Sequence, residues 1–269
     1  MQQLKQNSRM EIDESLLRHM AINSIRSYVS QFRSTYGEIV IAYDSRNNWR
    51  RNVFPYYKVN RKKDRDSSAL DWHTIFASFD KIRAELKENF PYRIVDVDCA
   101  EADDIIAVLS KRFHSEQKIL ILSTDKDFLQ LQKYDNVSQY SPITKTFIKT
   151  NSPERYLKEH IIRGDAGDGV PNILSADNIF LIDERQKSVM AKKLEVWLDQ
   201  PWEEFCTTDT MKRGWSRNVS LIDLTSIPKE IEDNINRAYD EAVPQPRKKL
   251  MNYFIENRLR NLIEHLGEF

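Results

Sequence analysis

The chain has little of several things. Its 269 residues include two cysteines, Cys99 and Cys206. That number excludes a disulfide framework and a four-thiolate zinc site, and it leads us to expect a reducing compartment. Glycine is scarce at six residues, and neither a Gly-rich phosphate loop nor an internal repeat is visible. No apolar run approaches the roughly 20 residues that span a bilayer, so no membrane role is expected. The opening MQQLKQNSRM is too polar for a secretory signal. An excess of charge is missing as well. Lys and Arg total 41, as do Asp and Glu, so net charge excludes no class of partner.

What is present is charge sorted along the chain. Arg46, Arg50, Arg51, Lys58, Arg61, Lys62, Lys63 and Arg65 crowd one stretch beside a single acid, Asp64. Aromatic residues Trp49, Phe54, Tyr56 and Tyr57 are interleaved with them. Asp96, Asp98, Glu101, Asp103 and Asp104 crowd another stretch with no base. A cationic pole beside an anionic one suits a polyanion held next to a cation site.

Periodicity places these poles on elements. Residues 1–11 are expected to be disordered. From Asp13, apolar residues at Leu17, Met20, Ala21, Ile25, Tyr28, Val29 and Phe32 follow helical spacing. Glu38–Tyr43 reads as a buried strand ending at Asp44. Asp71 can cap a helix carrying Trp72, Ile75, Phe79, Ile82 and Leu86 on one face. Strands at 92–97, 118–123 and 137–140 alternate with helices at 101–113 and 130–133. Such alternation predicts an α/β fold with a mostly parallel central sheet flanked by helices. Beyond residue 150 the strand signal fades and helices are expected at 152–162, 187–198, 231–239 and 248–266. The chain thus divides into an α/β core, 1–150, and a mostly helical lobe, 151–269. The stretch 200–228 matches no template.

Sites in parallel sheets gather beyond the carboxyl ends of strands. Asp44, Asp125 and Asp127 fall at such ends, Glu101, Asp103 and Asp104 open the helix after another, and Asp165 and Asp168 lie in the turn GDAGDGVPN. Each piece has an ordinary alternative: D-x-D can be a turn or a cap, and acids favour helix N-termini anyway. Together they are far more specific. So many carboxylates in one place raise one another's pKa values or recruit cations. Oxygen donors without His or Cys suit Mg²⁺, with Mn²⁺ as a substitute. Two such ions about 4 Å apart can clamp a phosphodiester. A phosphatase built on D-x-D would need that motif on the first strand, whereas Asp125 and Asp127 follow the third.

I-A-Y-D at 41–44, W-R-R at 49–51, F-P-Y-Y-K-V-N-R at 54–61, E-A-D-D at 101–104, S-T-D-K-D-F at 123–128, G-D-A-G-D-G-V-P-N at 164–172 and R-K-K-L-M-N-Y-F at 247–254 resemble the 5′-nuclease superfamily. That superfamily includes flap endonucleases, 5′-nuclease domains of bacterial DNA polymerases and the T-even bacteriophage ribonucleases H. The resemblance implies a PIN-like nuclease core and, from Gly164, a helix–three-turn–helix-like element. It implies two Mg²⁺ ions, one held by Asp44, Glu101, Asp103 and Asp125, the other by Asp127, Asp165 and Asp168, with Asp104 as a further metal-binding acid. Lys58 and Arg61 match the basic arch residues that stabilise charge on the phosphate. Arg50, Arg51, Tyr56, Tyr57, Lys62 and Lys63 are the expected nucleic-acid contacts.

The implied activity is 5′→3′ exonuclease, flap endonuclease and ribonuclease H cleavage of RNA–DNA hybrids and branched or flapped duplex DNA. Its setting is primer removal during phage replication, in the infected host's cytoplasm. The single-strand-binding protein and sliding clamp of the phage are the implied protein partners. Two departures stand out. Asn172–Asp177 replaces the usual G-V-G, which implies a rearranged duplex grip. No hydrophobic strand precedes Asp13, so the family's first strand and its Asp are expected to be missing. That loss motivates an alternative: a shortened, catalytically weakened protein that binds branched DNA.

Overall fold

Asp13 caps the first helix. Its carboxylate accepts from the backbone N–H of Ser15 at 2.8 Å, and α1 runs Glu14–Tyr36 to Gly37, whose φ of 80° suits glycine. The computed structural model describes residues 13–68 and 70–269, without the side chains of Lys62, Lys63, Asp64 and Asp66. The expectations for residues 1–11, and the contacts expected of Lys62 and Lys63, lie outside the described residues. Among those residues no strand precedes α1.

After α1 come β1 (Val40–Tyr43), α2 (Trp49–Val53), α3 (Val59–Asp66), α4 (Trp72–Asn89), β2 (Arg93–Asp96), α5 (Ala102–Phe113) and β3 (Ile119–Leu122). A 3₁₀ helix at Lys126–Lys133 leads to β4 (Val137–Ser141) and β5 (Thr146–Ile148). The remainder is helical: α6 (Pro153–Arg163), α7 (Ala191–Leu198), α8 (Trp202–Phe205), α9 (Asp209–Ile222), α10 (Lys229–Glu241), α11 (Lys248–Glu256) and α12 (Arg260–Ile263). β1 and β2 form a two-stranded sheet. β3 and β4 pair in parallel, Ile119 opposite Val137 and Leu122 opposite Tyr140, and β5 adds antiparallel to β4. The α/β class and the parallel pairing match the alternation in the sequence.

Two local expectations change, and two stretches without an assigned element prove helical. The basic stretch is helical in α2 and α3, because Asn48 caps α2 by accepting from the Arg50 N–H at 2.8 Å. The unassigned 200–228 stretch forms α8 and α9, the latter capped by Thr208. The helix expected at 187–198 starts only at Ala191. The single helix expected at 248–266 breaks after α11. Arg258 takes a φ of 56°, which turns the buried Leu259 and Leu262 inward.

The chain forms two compact units that interleave in sequence, whereas the sequence suggests one division near residue 150. One comprises the chain up to Ile41, Lys63–Val95 and Tyr239–Phe269. There the buried Arg18 of α1 holds Glu85 of α4 at 2.7 and 2.9 Å, and Phe90, Tyr253, Phe254 and Phe269 pack ring to ring. The other comprises Ala42–Lys62 and Asp96–Ala238 and contains every carboxylate expected to bind metal. Beneath β3 and β4, Ala107, Ile121, Phe128, Leu131, Val137 and Leu224 form one apolar cluster. Phe54, Tyr57, Ile161, Val170, Leu221 and Ile222 form a second, which ties the segment after α2 to α6 and α9. Each large side chain so buried contributes about 1.5–3 kcal/mol, so the loops above these clusters stand on rigid ground.

Candidate active site

The strand ends aim their carboxylates by short local bonds. Asp44, just after β1, accepts from the Ala102 N–H at 2.7 Å and so caps the start of α5. Asp125, just after β3, accepts from the Asp127 N–H at 3.0 Å. Buried Gln139 of β4 holds that loop from below, donating to the carbonyls of Ser123 and Asp125. In the GDAGD turn, Asp165 Oδ1 accepts from the N–H groups of Gly167 and Asp168. Gly164 has a φ of 68°, and a Cβ there would stand 2.4 Å from the Val170 carbonyl oxygen, so only glycine permits the turn.

Asp103, Asp127, Asp165 and Asp168 line one narrow cleft, with Tyr57 and Arg50 in its wall. Asp127 is pushed up to about 8 by burial and by the charges of Asp125, Asp165, Asp103 and Asp168. Asp103 is pushed up to about 7 by burial, against the pull of Lys58, with Asp125, Glu101 and Asp44 adding to the rise. Carboxylates that hold one another protonated at neutral pH lack positive charge, and their oxygens fit a hard divalent cation.

Not every acid of the motifs shares this fate. Asp104 is 0 % exposed and fully occupied. It accepts from Arg50 Nη1 and Nη2 at 3.0 and 2.7 Å, from the Trp49 indole at 3.0 Å and from the Glu101 N–H at 2.9 Å. Oδ2 takes three of these bonds and Oδ1 one, and neither oxygen faces the cleft lining, so the structure places Asp104 in a buried ion pair with Arg50 instead of among the metal-binding acids where it was expected. Arg50 is corrected with it. At 2 % exposed, it also donates to Glu101 Oε2 and the Leu221 carbonyl, both at 2.9 Å, and has no face for nucleic acid. Arg51, its neighbour, is exposed.

The same split divides the two tyrosines. Tyr56 is half-buried, its ring edge-on to Phe54 at 5.4 Å. Tyr57 is 4 % exposed, so it cannot stack on a base. Its hydroxyl instead sits between Glu101 Oε2 at 3.0 Å and Asp168 Oδ2 at 2.9 Å. Lys58 and Arg61 do reach the acids. Lys58 Nζ lies 2.5 Å from Glu101 and 3.5 Å from Asp168, and Arg61 pairs with Asp168. Lys58 takes a φ of 56°, rare for a residue with a side chain, and its N–H donates to the Asp168 carbonyl at 2.7 Å. The element after the turn is also rearranged. No regular helix runs between Arg163 and Ala191, because buried Asn172 bonds Leu174, Ser175 and Lys187 and competes with helical pairing.

One residue escaped the sequence reading. His160, on the last turn of α6, places its ring beside Asp127 and Asp165. Its signal was its position, one helical turn ahead of Gly164-Asp165, which a search for acids alone passes over.

Comparisons with known proteins identify the family. The family model described as 5′-3′ exonuclease, N-terminal resolvase-like domain, matches residues 6–161. The chain belongs to the 5′-3′ exonuclease family. A second family model, T4 RNase H, C terminal, matches residues 151–269. The ribonuclease H of Enterobacteria phage T4 is 36 % identical over 269 residues, 96 % of this chain and 88 % of its own length. A 5′-3′ exonuclease of Buchnera aphidicola is 31 % identical over 160 residues, 55 % of this chain and 53 % of its own. Among solved structures, a bacteriophage T5 flap endonuclease in a pseudo-enzyme–product complex with DNA and metal ions aligns with a TM-score of 0.59. It is 19 % identical and covers 88 % of this chain and 93 % of its own. A T5 5′-exonuclease with zinc bound aligns at 0.57, 17 % identical, covering 86 % and 92 %. At these identities the likeness is one of fold, a PIN-like nuclease core.

Proposed function

We propose that this member of the family is a divalent-metal-dependent 5′ nuclease that cuts RNA–DNA hybrids and flapped or branched DNA from their 5′ ends. Primer removal during phage replication, in the infected cell's cytoplasm, is the setting this reading implies. The phage single-strand-binding protein and sliding clamp are the partners it would bring. Among the described residues no helix is long and apolar enough to cross a membrane. The observation that carries the reading is the cleft where Asp103, Asp127, Asp165 and Asp168 converge without a full complement of cations.

Asp44, Glu101, Asp103 and Asp125 would hold one Mg²⁺, and Asp127, Asp165 and Asp168 the other, Mn²⁺ substituting. Bound there, such ions activate water and stabilise the attacking and leaving oxygens of a phosphodiester. The chain's own groups do the rest. Lys58 and Arg61 bring positive charge to the rim of the cleft, where it stabilises a developing phosphorane once they exchange Glu101 and Asp168 for phosphate. Arg50 fixes Glu101 in place from inside the protein. Arg51 is free to meet a backbone phosphate and Tyr56 to stack on an unpaired base, contacts that favour single strands without choosing sequence.

The test is a 5′-labelled RNA–DNA hybrid incubated with the chain, with and without Mg²⁺, beside Asp125→Asn. Metal-dependent release of short 5′ products, lost in the variant, supports the proposal. Hybrid bound but uncut supports the alternative, a branched-DNA-binding protein with a weakened centre.

A further inference from the structure

His160 brings an imidazole beside two acids of the cleft. The nearest donor atoms of Asp127, His160 and Asp165 all lie within 4.8 Å of one another. Its side chain is 16 % exposed, and the Tyr156 ring meets the imidazole edge-on at 6.1 Å, which limits its rotation. Nε2 stands 3.9 Å from Asp165 Oδ2. Nδ1 is buried and stands 3.2 Å from Asp127 Oδ1, yet it makes no hydrogen bond. A buried ring nitrogen beside a carboxylate, close but unaligned for an N–H bond, is an unmet donor.

Ligand geometry gives that spacing a meaning. Two donor atoms on one ion, each about 2.1 Å from it and at right angles, stand about 3 Å apart. The separation of Nδ1 and Asp127 Oδ1 is of that size. A neutral imidazole carries a lone pair on one ring nitrogen, the form in which histidine ligates a cation.

We infer that His160 supplies a nitrogen ligand to the cation bound at Asp127 and Asp165, making that position a mixed nitrogen–oxygen site. This rests on the carboxylate reading above and adds a selectivity to it. Imidazole strengthens binding along the first-row series, so Mn²⁺, Co²⁺ and Zn²⁺ gain over Mg²⁺ at this position relative to an all-oxygen site.

The experiment uses the full chain loaded with Mn²⁺. Electron spin echo modulation from directly bound ¹⁴N is expected in the parent, altered by ¹⁵N-histidine labelling and absent in His160→Gln. Glutamine suits the helix, and circular dichroism would verify the variant's fold. Mn²⁺ affinity should fall about tenfold or more in the variant, since even outer contacts to a metal carry that much, while Mg²⁺ affinity measured by calorimetry changes far less. Mn²⁺ bound without nitrogen modulation, or modulation that survives His160→Gln, overturns the inference and leaves the carboxylate site standing. Mn²⁺ binding that is unsaturable and indifferent to Asp165→Asn overturns the carboxylate reading itself, and this inference with it.

Discussion

Three pairs of sequence neighbours are treated in opposite ways by the fold. Arg50 is buried and Arg51 exposed; Tyr57 is buried and Tyr56 half-buried; Asp104 is saturated with donors while Asp103 faces the acidic cleft. Adjacent residues on a helix point about 100° apart, so a short motif on α2 or α5 necessarily sends one member inward. The inner members join each other: Arg50 to Asp104 and Glu101, Tyr57 to Glu101. The outer members are less buried, Arg51 exposed and Tyr56 and Asp103 intermediate. Identical chemistry in a motif thus divides into a frame and a working face.

The sharpest way to break this comparison is to change both carboxylates of the 103–104 pair. Asp103→Asn should reduce metal-dependent cleavage about a thousandfold, the size of several kcal/mol of lost charge stabilisation. Its thermal stability without divalent ions should hold or rise, because a repelling charge is gone. Asp104→Asn should do the reverse. It leaves Arg50 short of its main partner in a site without water, and unfolding free energy should fall by about 3 kcal/mol. Equal stability losses in a urea titration of the two variants would refute the division into frame and face.

The next effect concerns pH. An unfolded Asp titrates near 3.8, but in the fold Asp103 is pushed up to about 7 and Asp127 to about 8. The folded chain therefore holds more protons than the unfolded one across that window. The stability these groups contribute is fully present below the unfolded value and is lost as pH rises through 7 to 8. With divalent ions chelated, Tm should fall on the order of 10 °C between about pH 5.5 and about pH 9. Asp127→Asn should flatten that slope. Cation affinity should rise over the same range, as binding displaces the protons.

How far the sequence reveals such a division depends on what it encodes. The helix caps at Asp13 and Asp71, the aliphatic run of β3 and the alternation of strands and helices are local signals, and the elements follow them. The place of Asp127 was legible because strand ends gather at one edge of a parallel sheet, whereas Asp103 at a helix start and Asp165 and Asp168 in a turn were legible through the motifs that carry them. The facing of Arg50 and Tyr57 was not. Both depend on α9, whose Leu221 carbonyl receives Arg50 and whose apolar side chains cover Tyr57, and that helix lay in a stretch without periodic signal. The rearranged turn after Pro171 was legible only as a departure, because the bonds of Asn172 to Lys187 and of Arg217 to Asp177 span distant positions. His160 was hidden for a simpler reason: a lone histidine in a helix carries no spacing to recognise.

The tyrosine pair offers a smaller contrast. The Tyr57 hydroxyl has one proton for two carboxylates, so it donates to Glu101 or to Asp168 but not to both at once. Tyr57→Phe should cost about 1 kcal/mol in a denaturant titration. Tyr56→Phe should cost nothing measurable, since its ring, not its hydroxyl, makes the contact with Phe54.

The smallest expected effect separates the arginines. Arg51 is exposed on α2, beside a neighbour that the fold has fully engaged. If it meets a backbone phosphate, Arg51→Ala should weaken hybrid binding uniformly across sequences and lower the slope of log affinity against log salt by about one. Stability should not change, because no buried partner is left behind. Arg50 admits no such measurement. Its removal exposes Asp104 and Glu101 to mutual repulsion inside the protein, so any loss of binding by Arg50→Ala would track a loss of fold. An unchanged salt slope for Arg51→Ala would place the phosphate path elsewhere on the rim, with Lys58 and Arg61 as the remaining described cations beside the cleft.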